Sequence, residues 1–496
     1  MNRVCNATLW VAMMLVVALS AVHGRGQTLQ DIERGASGPF VDGVETYIYG
    51  YPLLMFGVTG RTATTVMTAG DRLGGAPLNQ FGKELVLPDA TFTAVVLPST
   101  TTLYASAFLN LKTEPIILHI PSVDRFFVLQ MLDGWTDVSP NSPSSRLGSQ
   151  QGDYALVGPG STAEIPSSIR NVIQMPTNLM WIIGRFYTTG TKSDIDDVIN
   201  NIYPGLTLTP LSKYINPPYV VPSDLPLAPM VDYITPPLAQ VAGMDACAFF
   251  GGMGALMQYN LPIPGQDDAI LPKLHALGLD VFDKNGALVP YDCTQHKNQL
   301  PALQLAVAAA RTFLSHAPTP PQTKTGWTVS LDVGTYEDHY LLRAEVAQQA
   351  LGANNPADAV YGYTQNDGRG APLNGKKNYK IHFGPPSDKT EGLPPVNGFW
   401  SLTIYDHAGK LVASPDPRVT WNAIGGDEVQ GHRACFNPDG SLDLYLQPAA
   451  PTNATQLCNW LPTPNTTDAY IPFLRMYWPQ SAILQKSWVP PPITSN

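Results

Sequence analysis

Leu103–Leu132 reads LYASAFLNLKTEPIILHIPSVDRFFVLQML, and its cadence decides the fold. Leu103–Leu111, Ile116–Ile120 and Arg125–Leu132 are short runs rich in β-branched, aromatic and other apolar residues, separated by Pro, Asp and Ser. That is the rhythm of antiparallel strands in a sandwich or barrel. Thr91–Leu97 precedes them, and Tyr154–Val157, Ile169–Ile173 and Met180–Tyr187 continue the pattern. Ser193-Asp-Ile-Asp then reads as a helix start, with acidic residues in its first turn. In the last third, Tyr379–Phe383, Ser401–Tyr405 and Ser441–Gln447 alternate apolar and polar residues. A period of two buries one face of a strand and leaves the other polar.

Helical texture lies outside these runs. Phe40–Gly57 carries Val41, Val44, Tyr47, Ile48 and Tyr51 at helical spacing, and Pro52 is expected to interfere with its continuation. Leu300–Phe313 is a good helix former, and Glu337–Leu351 is followed by a well-placed Gly352. Nine prolines between Pro204 and Pro237 mark a boundary or a wrapping connection. The expected architecture is mainly β with a helical middle: a leader over 1–24, an N-terminal β-sandwich over 25–205, a Pro-rich connection and helical region over 206–325, and a helix plus β-sandwich over 326–496.

Composition narrows the function classes. Of 496 residues, 14% are charged, well below the ordinary quarter, and the net charge is −10. Nucleic acids and anionic membrane surfaces call for clustered Lys and Arg, so neither is an expected partner. Arg3, the apolar run Leu9–Leu19 and the small residues after it have the order of a signal peptide, with cleavage after Gly24 or after Ser20. The run is too short to span a bilayer as a helix, and no later segment of the mature chain reads as a span. Cys5 leaves with the leader. The even count that remains suggests the bridges Cys247–Cys293 and Cys435–Cys458, each within one half of the chain. Asn453-Ala-Thr455 and Asn465-Thr-Thr467 are glycosylation sequons in a polar stretch that reads as exposed loop. The compartment expected from these features is extracellular.

Further motifs carry a family resemblance. The N-terminal half, through Tyr49-Gly-Tyr-Pro52, Leu103-Tyr104, Gln130-Met-Leu-Asp133, Gly152-Asp-Tyr154 to Gly158-Pro-Gly160 and Trp181-Ile-Ile-Gly-Arg185, resembles domain of unknown function 1254. The C-terminal third, through Pro394-Pro-Val-Asn-Gly-Phe-Trp-Ser401, Tyr405-Asp406, Asp439-Gly-Ser-Leu-Asp443, Asn459-Trp-Leu-Pro462 and Arg475-Met-Tyr-Trp-Pro479, is similar to its companion, number 1214. The resemblance implies two jelly-roll-like antiparallel sandwiches and brings no secure activity. Where family members often carry Asn-x-Asp-Thr before the Leu-Tyr strand, this chain has Ser99-Thr-Thr-Thr102, without a carboxylate.

Chemistry needs polar groups that converge. Asp133, Trp135, Asp137 and Arg146 lie on a strand end and the loop after it, where a carboxylate, an aromatic ring and a guanidinium suit a sugar or small polar ligand. The competing reading is a buried Asp–Arg pair that fixes the loop, with Trp135 in the core. Trp181 and Arg185 share one strand face. His382, Tyr405 and Asp443 form a site only if their strands are neighbours. No HxH or HExxH spacing supports a metal, no cofactor motif is present, and GxSxG is absent. Gly251-Gly-Met-Gly254 is apolar in context and reads as helix or turn packing. The sequence leaves open whether the chain is an enzyme. It points to binding, with or without modification, of a carbohydrate or small polar ligand. The rival is a structural or surface-coat protein assembled as a homo-oligomer through its jelly-roll ends.

Overall fold

The computed structural model describes residues 38–70, 74–92, 97–226, 231–316, 321–388 and 390–496. The expected leader and most of the Thr91–Leu97 run lie outside the described residues. The architecture is mixed α/β, with four sheets, none of them closed.

The N-terminal half supplies β1 (Gly82–Lys83), β2 (Thr102–Asn110), β3 (Ile116–Ile120), β4 (Phe127–Asp133), β5 (Gly152–Val157), β6 (Asn171–Gln174), β7 (Leu179–Tyr187) and β8 (Thr207–Pro210). They form two sheets, in the orders β1-β2-β7-β4 and β6-β5-β3-β8. All pairs are antiparallel except β5–β6. Period-two alternation explains the layering. Leu103, Ala105 and Leu109 of β2, Leu129 and Met131 of β4, and Ile182 and Phe186 of β7 share one core with Ile116, Leu118, Tyr154 and Leu156 of the other sheet. Gly184 sits between Ala105 and Leu129, where an added Cβ would meet the Ala105 carbonyl at 2.8 Å. Every residue of β4 is buried, because the outer face of its sheet is covered too.

The C-terminal part repeats the plan with β9 (Thr328–Ser330), β10 (Ala359–Tyr363), β11 (Tyr379–Phe383), β12 (Trp400–Tyr405), β13 (Ala423–Gly425), β14 (Leu442–Gln447), β15 (Trp460–Pro462), β16 (Ile471–Tyr477) and β17 (Ile493–Ser495). Their orders are β13-β12-β16-β10-β9 and β15-β14-β11-β17, and β14–β15 is the parallel pair. Leu402, Ile404, Leu474 and Met476 meet Ile381, Leu442, Leu444 and Leu446 in one core.

Helices form the third body: α1 (Pro39–Thr64), α2 (Pro237–Gly243), α3 (Ala246–Met257), α4 (Leu271–Leu277), α5 (Leu300–Ser315) and α6 (Tyr340–Gln349). Contrary to expectation, α1 runs through Pro52 to Thr64. The turns on both sides of Pro52 are buried against neighbouring helices, and that packing holds the helix past a missing N–H. Gly50 lets α3 approach closely, since a Cβ there would collide with the Met253 sulfur. The helical body gathers α1 from the N-terminal end and α6 from the C-terminal part around one core.

Cys247 and Cys293 are paired with Cα atoms 5.5 Å apart, and Cys435 and Cys458 with Cα atoms 6.0 Å apart. The two sequon asparagines, Asn453 and Asn465, are exposed. Among the described residues no helix is long and apolar enough to cross a membrane.

Candidate functional site

The outer faces of two sheets meet where the N- and C-terminal parts touch. On β7 the outward residues are Trp181, Ile183, Arg185 and Tyr187; on β2 they include Tyr104, which pairs in register with Arg185. On β16 they are Phe473, Arg475 and Tyr477, and Tyr361 of β10 and Ser401 of β12 lie directly opposite Arg475. Phe126, Val128, Phe399 and Tyr477 pack between the sheets, joined by Tyr187 and Trp478 at their margin. Beside this seam a cleft of about 590 Å³ opens between the two parts. Tyr187, Phe399 and Trp478 give it aromatic walls, and Gln150, Asn397 and Asp427 stand on its polar side. Arg125, also on the cleft, is held by Asp194 at 2.8 Å and Asp197 at 2.6 Å.

The turn after β4 is a second polar centre. Asp133 Oδ1 accepts the backbone N–H of Trp135 at 2.8 Å and of Asp137 at 3.0 Å, so the side chain shapes the turn. Arg343 of α6 is fully buried, with its Nη1 3.4 Å from Asp137 and its Nη2 3.8 Å from Asp267. Its guanidinium lies over the rings of Tyr49, Trp135 and Tyr340 at 5.3, 5.5 and 5.3 Å. The Tyr49 hydroxyl donates to Asp267 Oδ2 at 3.0 Å. Asp267 Oδ1 and the Arg343 Nε and Nη2 atoms have no hydrogen-bond partner.

Burial, and next the charge of Asp137, push Asp133 up to about 8, although Arg343 and the two backbone donors pull the other way. Burial likewise raises Asp137 and Asp267. The folded chain therefore holds a proton on this cluster that an unfolded Asp133 gives up near its ordinary value. Between those two values the native state binds more protons, so this group's contribution to stability falls as pH rises. Asp133→Asn keeps the Oδ1 acceptor and removes the titration. Relative to the parent, the variant should gain roughly 3–4 kcal/mol of unfolding free energy between pH 5 and pH 8. Urea unfolding at both pH values tests this, and equal pH slopes for the two proteins would contradict it.

The structure separates several residues that the sequence grouped as candidates. Trp135 is not a platform on a sandwich edge: it is fully buried, and its Nε1 donates to the Leu261 carbonyl at 3.1 Å. Arg146 does not meet Asp133; it pairs at 3.0 Å with Asp358, from the C-terminal part, which also accepts from Ser144. His382 pairs with Asp443 at 2.7 Å on neighbouring strands, but Tyr405 is remote from them. Tyr405 belongs to the other sheet, with its hydroxyl donating to the Pro98 carbonyl at 2.5 Å. Arg475 and Arg343 were not singled out from sequence. Arg475 carried a signal: Phe473, Arg475 and Tyr477 alternate with Leu474 and Met476, the same outward register as Trp181 and Arg185. Arg343 carried none, because most of its partners are far away in sequence, with Asp137 206 positions from it and Tyr49 farther still. Among the described residues no group of three or more His, Cys, Asp or Glu could hold a metal ion.

The overall shape is similar to the crystal structure of the VPA0106 protein from Vibrio parahaemolyticus, with a TM-score of 0.65, 20% identity, and coverage of 92% of this chain and all of that one. A putative uncharacterized protein from Burkholderia cenocepacia aligns over 98% of this chain and 94% of its own, at 13% identity and a TM-score of 0.40. No curated protein matches. Residues 78–210 match the family described as Protein of unknown function (DUF1254), and residues 358–481 match Protein of unknown function (DUF1214). The chain is therefore a member of the two-domain family that sets a DUF1254 domain N-terminal to a DUF1214 domain.

Proposed function

We propose that this chain is a secreted, disulfide-bonded and glycosylated protein that binds a carbohydrate or other small hydroxyl-rich ligand between two jelly-roll-like ends. The cleft of about 590 Å³ carries this reading. Aromatic faces beside amide and carboxylate side chains suit a ring that stacks on one side and offers hydroxyls on the other. Trp478 is the principal stacking group, and Gln150, Asn397 and Asp427 are the hydrogen-bonding groups. The expected result is that a glycan array or a thermal-shift screen of the full chain finds a neutral polar ligand. Trp478→Ala should weaken that ligand about tenfold, the equivalent of roughly 1.4 kcal/mol of stacking. A screen in which no sugar or polyol stabilises the protein would refute the reading.

One observation favours the structural rival. Val220, Val221 and Ile234, in the Pro-rich connection, are 81%, 52% and 85% exposed. Strongly exposed apolar side chains in one connection suit an assembly face. Under that reading light scattering shows a size that grows with concentration, and replacing Val220 and Ile234 with Ser abolishes the growth.

A further inference from the structure

Arg185 and Arg475 are 7% and 4% exposed, and every partner they have is neutral. Arg185 donates to Gln130 Oε1 at 2.6 Å, Asn354 Oδ1 at 3.1 Å and the Gly352 carbonyl at 3.2 Å. Arg475 donates to the Leu97 carbonyl at 2.8 Å and to Thr403 Oγ1 at 3.5 Å. Among the described residues neither guanidinium is within ion-pair distance of Asp or Glu, whereas Arg125, Arg146 and Arg343 each are. The two cations share one layer: Tyr104, Tyr361 and Tyr477 interact electrostatically with both. Burial raises the phenols of Tyr361, Tyr405 and Tyr477, so they stay protonated and supply no negative charge. The hydroxyls of Thr101, Ser401 and Thr403 are buried and neutral as well. Charged side chains are almost never buried this deeply without a counterion.

We propose that the polar layer between the two facing sheets is an oxyanion site, in which Arg185 and Arg475 hold the carboxylate or phosphate group of a small molecule. The planar fork of a guanidinium matches both groups in two-pronged fashion. Tyr104 and Tyr361 are partly exposed and interact electrostatically with both guanidiniums, so their phenols are the candidate donors to the same oxygens. Arg185 comes from the N-terminal sheet and Arg475 from the C-terminal one, so an occupant ties the two domains together. This site is distinct from the aromatic cleft, whose lining carries the carboxylates of Asp124 and Asp427 and an Arg125 already paired with acidic side chains.

The test is thermal unfolding of the full chain at pH 7 and constant ionic strength, in chloride, inorganic phosphate, sulfate, citrate or malonate. The expected result is a saturable rise of the midpoint by several degrees in at least one oxyanion over chloride. A rise with citrate or malonate alone assigns a carboxylate; a rise with phosphate or sulfate alone assigns a phosphoryl-like group. Calorimetric titration of the unmodified protein gives the affinity, and Arg475→Lys should weaken it at least tenfold, because the charge stays while the fork is lost. Trp478→Ala should leave it unchanged, so this proposal and the cleft reading fail separately. The proposal is overturned if no oxyanion binds the unmodified chain, or if binding survives in Arg185→Gln/Arg475→Gln.

Discussion

Arg343→Met should destabilise the protein by about 3–5 kcal/mol, the cost of removing one partner from a buried ionic cluster. The side chain is fully buried, faces Asp137 and Asp267, and lies over three aromatic rings. Methionine fills most of the volume but leaves both carboxylates without their cation. Deleting charge on both sides should therefore recover stability. Arg343→Met/Asp267→Asn is expected to be at least about 1 kcal/mol more stable than Arg343→Met alone, a coupling typical of residues in contact. Denaturant unfolding at pH 7 measures both. A cost below about 1 kcal/mol for Arg343→Met would mean that both carboxylates are already neutral and the cation is dispensable. Arg343 also links bodies that are distant in sequence: α6 on one side, and the turn at Asp133–Asp137 and the loop at Asp267 on the others. Its loss should loosen the seating of the helical body on the N-terminal sheets, and hydrogen exchange should quicken first at the turn after β4.

Why Arg343 and Asp267 escaped the sequence reading of this cluster is a question of which contacts are local. Alternation in β2, β7, β11, β12 and β14 is a property of neighbouring residues, so those strands, and the shared face of Trp181 and Arg185, were legible. The Cys435–Cys458 and Cys247–Cys293 pairs were legible for the same reason, since each closes a short stretch. Alternation does not say whether the polar face meets water or another sheet. The face shared by Trp181 and Arg185 is covered by the C-terminal part, and that makes Arg185 half of a buried cationic pair. Partner choice across the domains was likewise hidden: Arg146 selects Asp358 over the nearer-in-sequence Asp133. Tyr405 and His382 sit 23 positions apart, but β12 and β11 belong to different sheets, and only strand order could have told them apart. The oxyanion layer and the aromatic cleft both lie on the docking of one domain against the other, the level of structure that residue spacing encodes least.

Cys247→Ser/Cys293→Ser should lower stability by about 4 kcal/mol, the loop-entropy value for a closed stretch of this length. The sequence separation is 46 residues, against 23 for Cys435–Cys458, for which the same reasoning gives about 3 kcal/mol. The larger effect falls on the helical body. Cys247 sits in the first turn of α3, and Cys293 lies in the stretch between α4 and α5, which has no long helix of its own. Without the bridge, that stretch is held by contacts such as Tyr291 packed against His296 and against Gly254, and by little regular backbone pairing. Unfolding of the parent with and without a thiol reductant provides the matched comparison. Reductant should reproduce the loss seen in the serine variants and leave the doubly substituted protein unchanged. If reductant shifts the parent by less than about 1 kcal/mol, the stretch before α5 is held by packing alone. Neither bridge crosses from one β-rich part to the other, so reduction should soften each body separately while the seam of Tyr187, Phe399 and Tyr477 keeps the two sheets in contact. Ligand affinity at that seam is then expected to outlast the loss of stability, a combination that unfolding and binding measured on the same reduced sample can test.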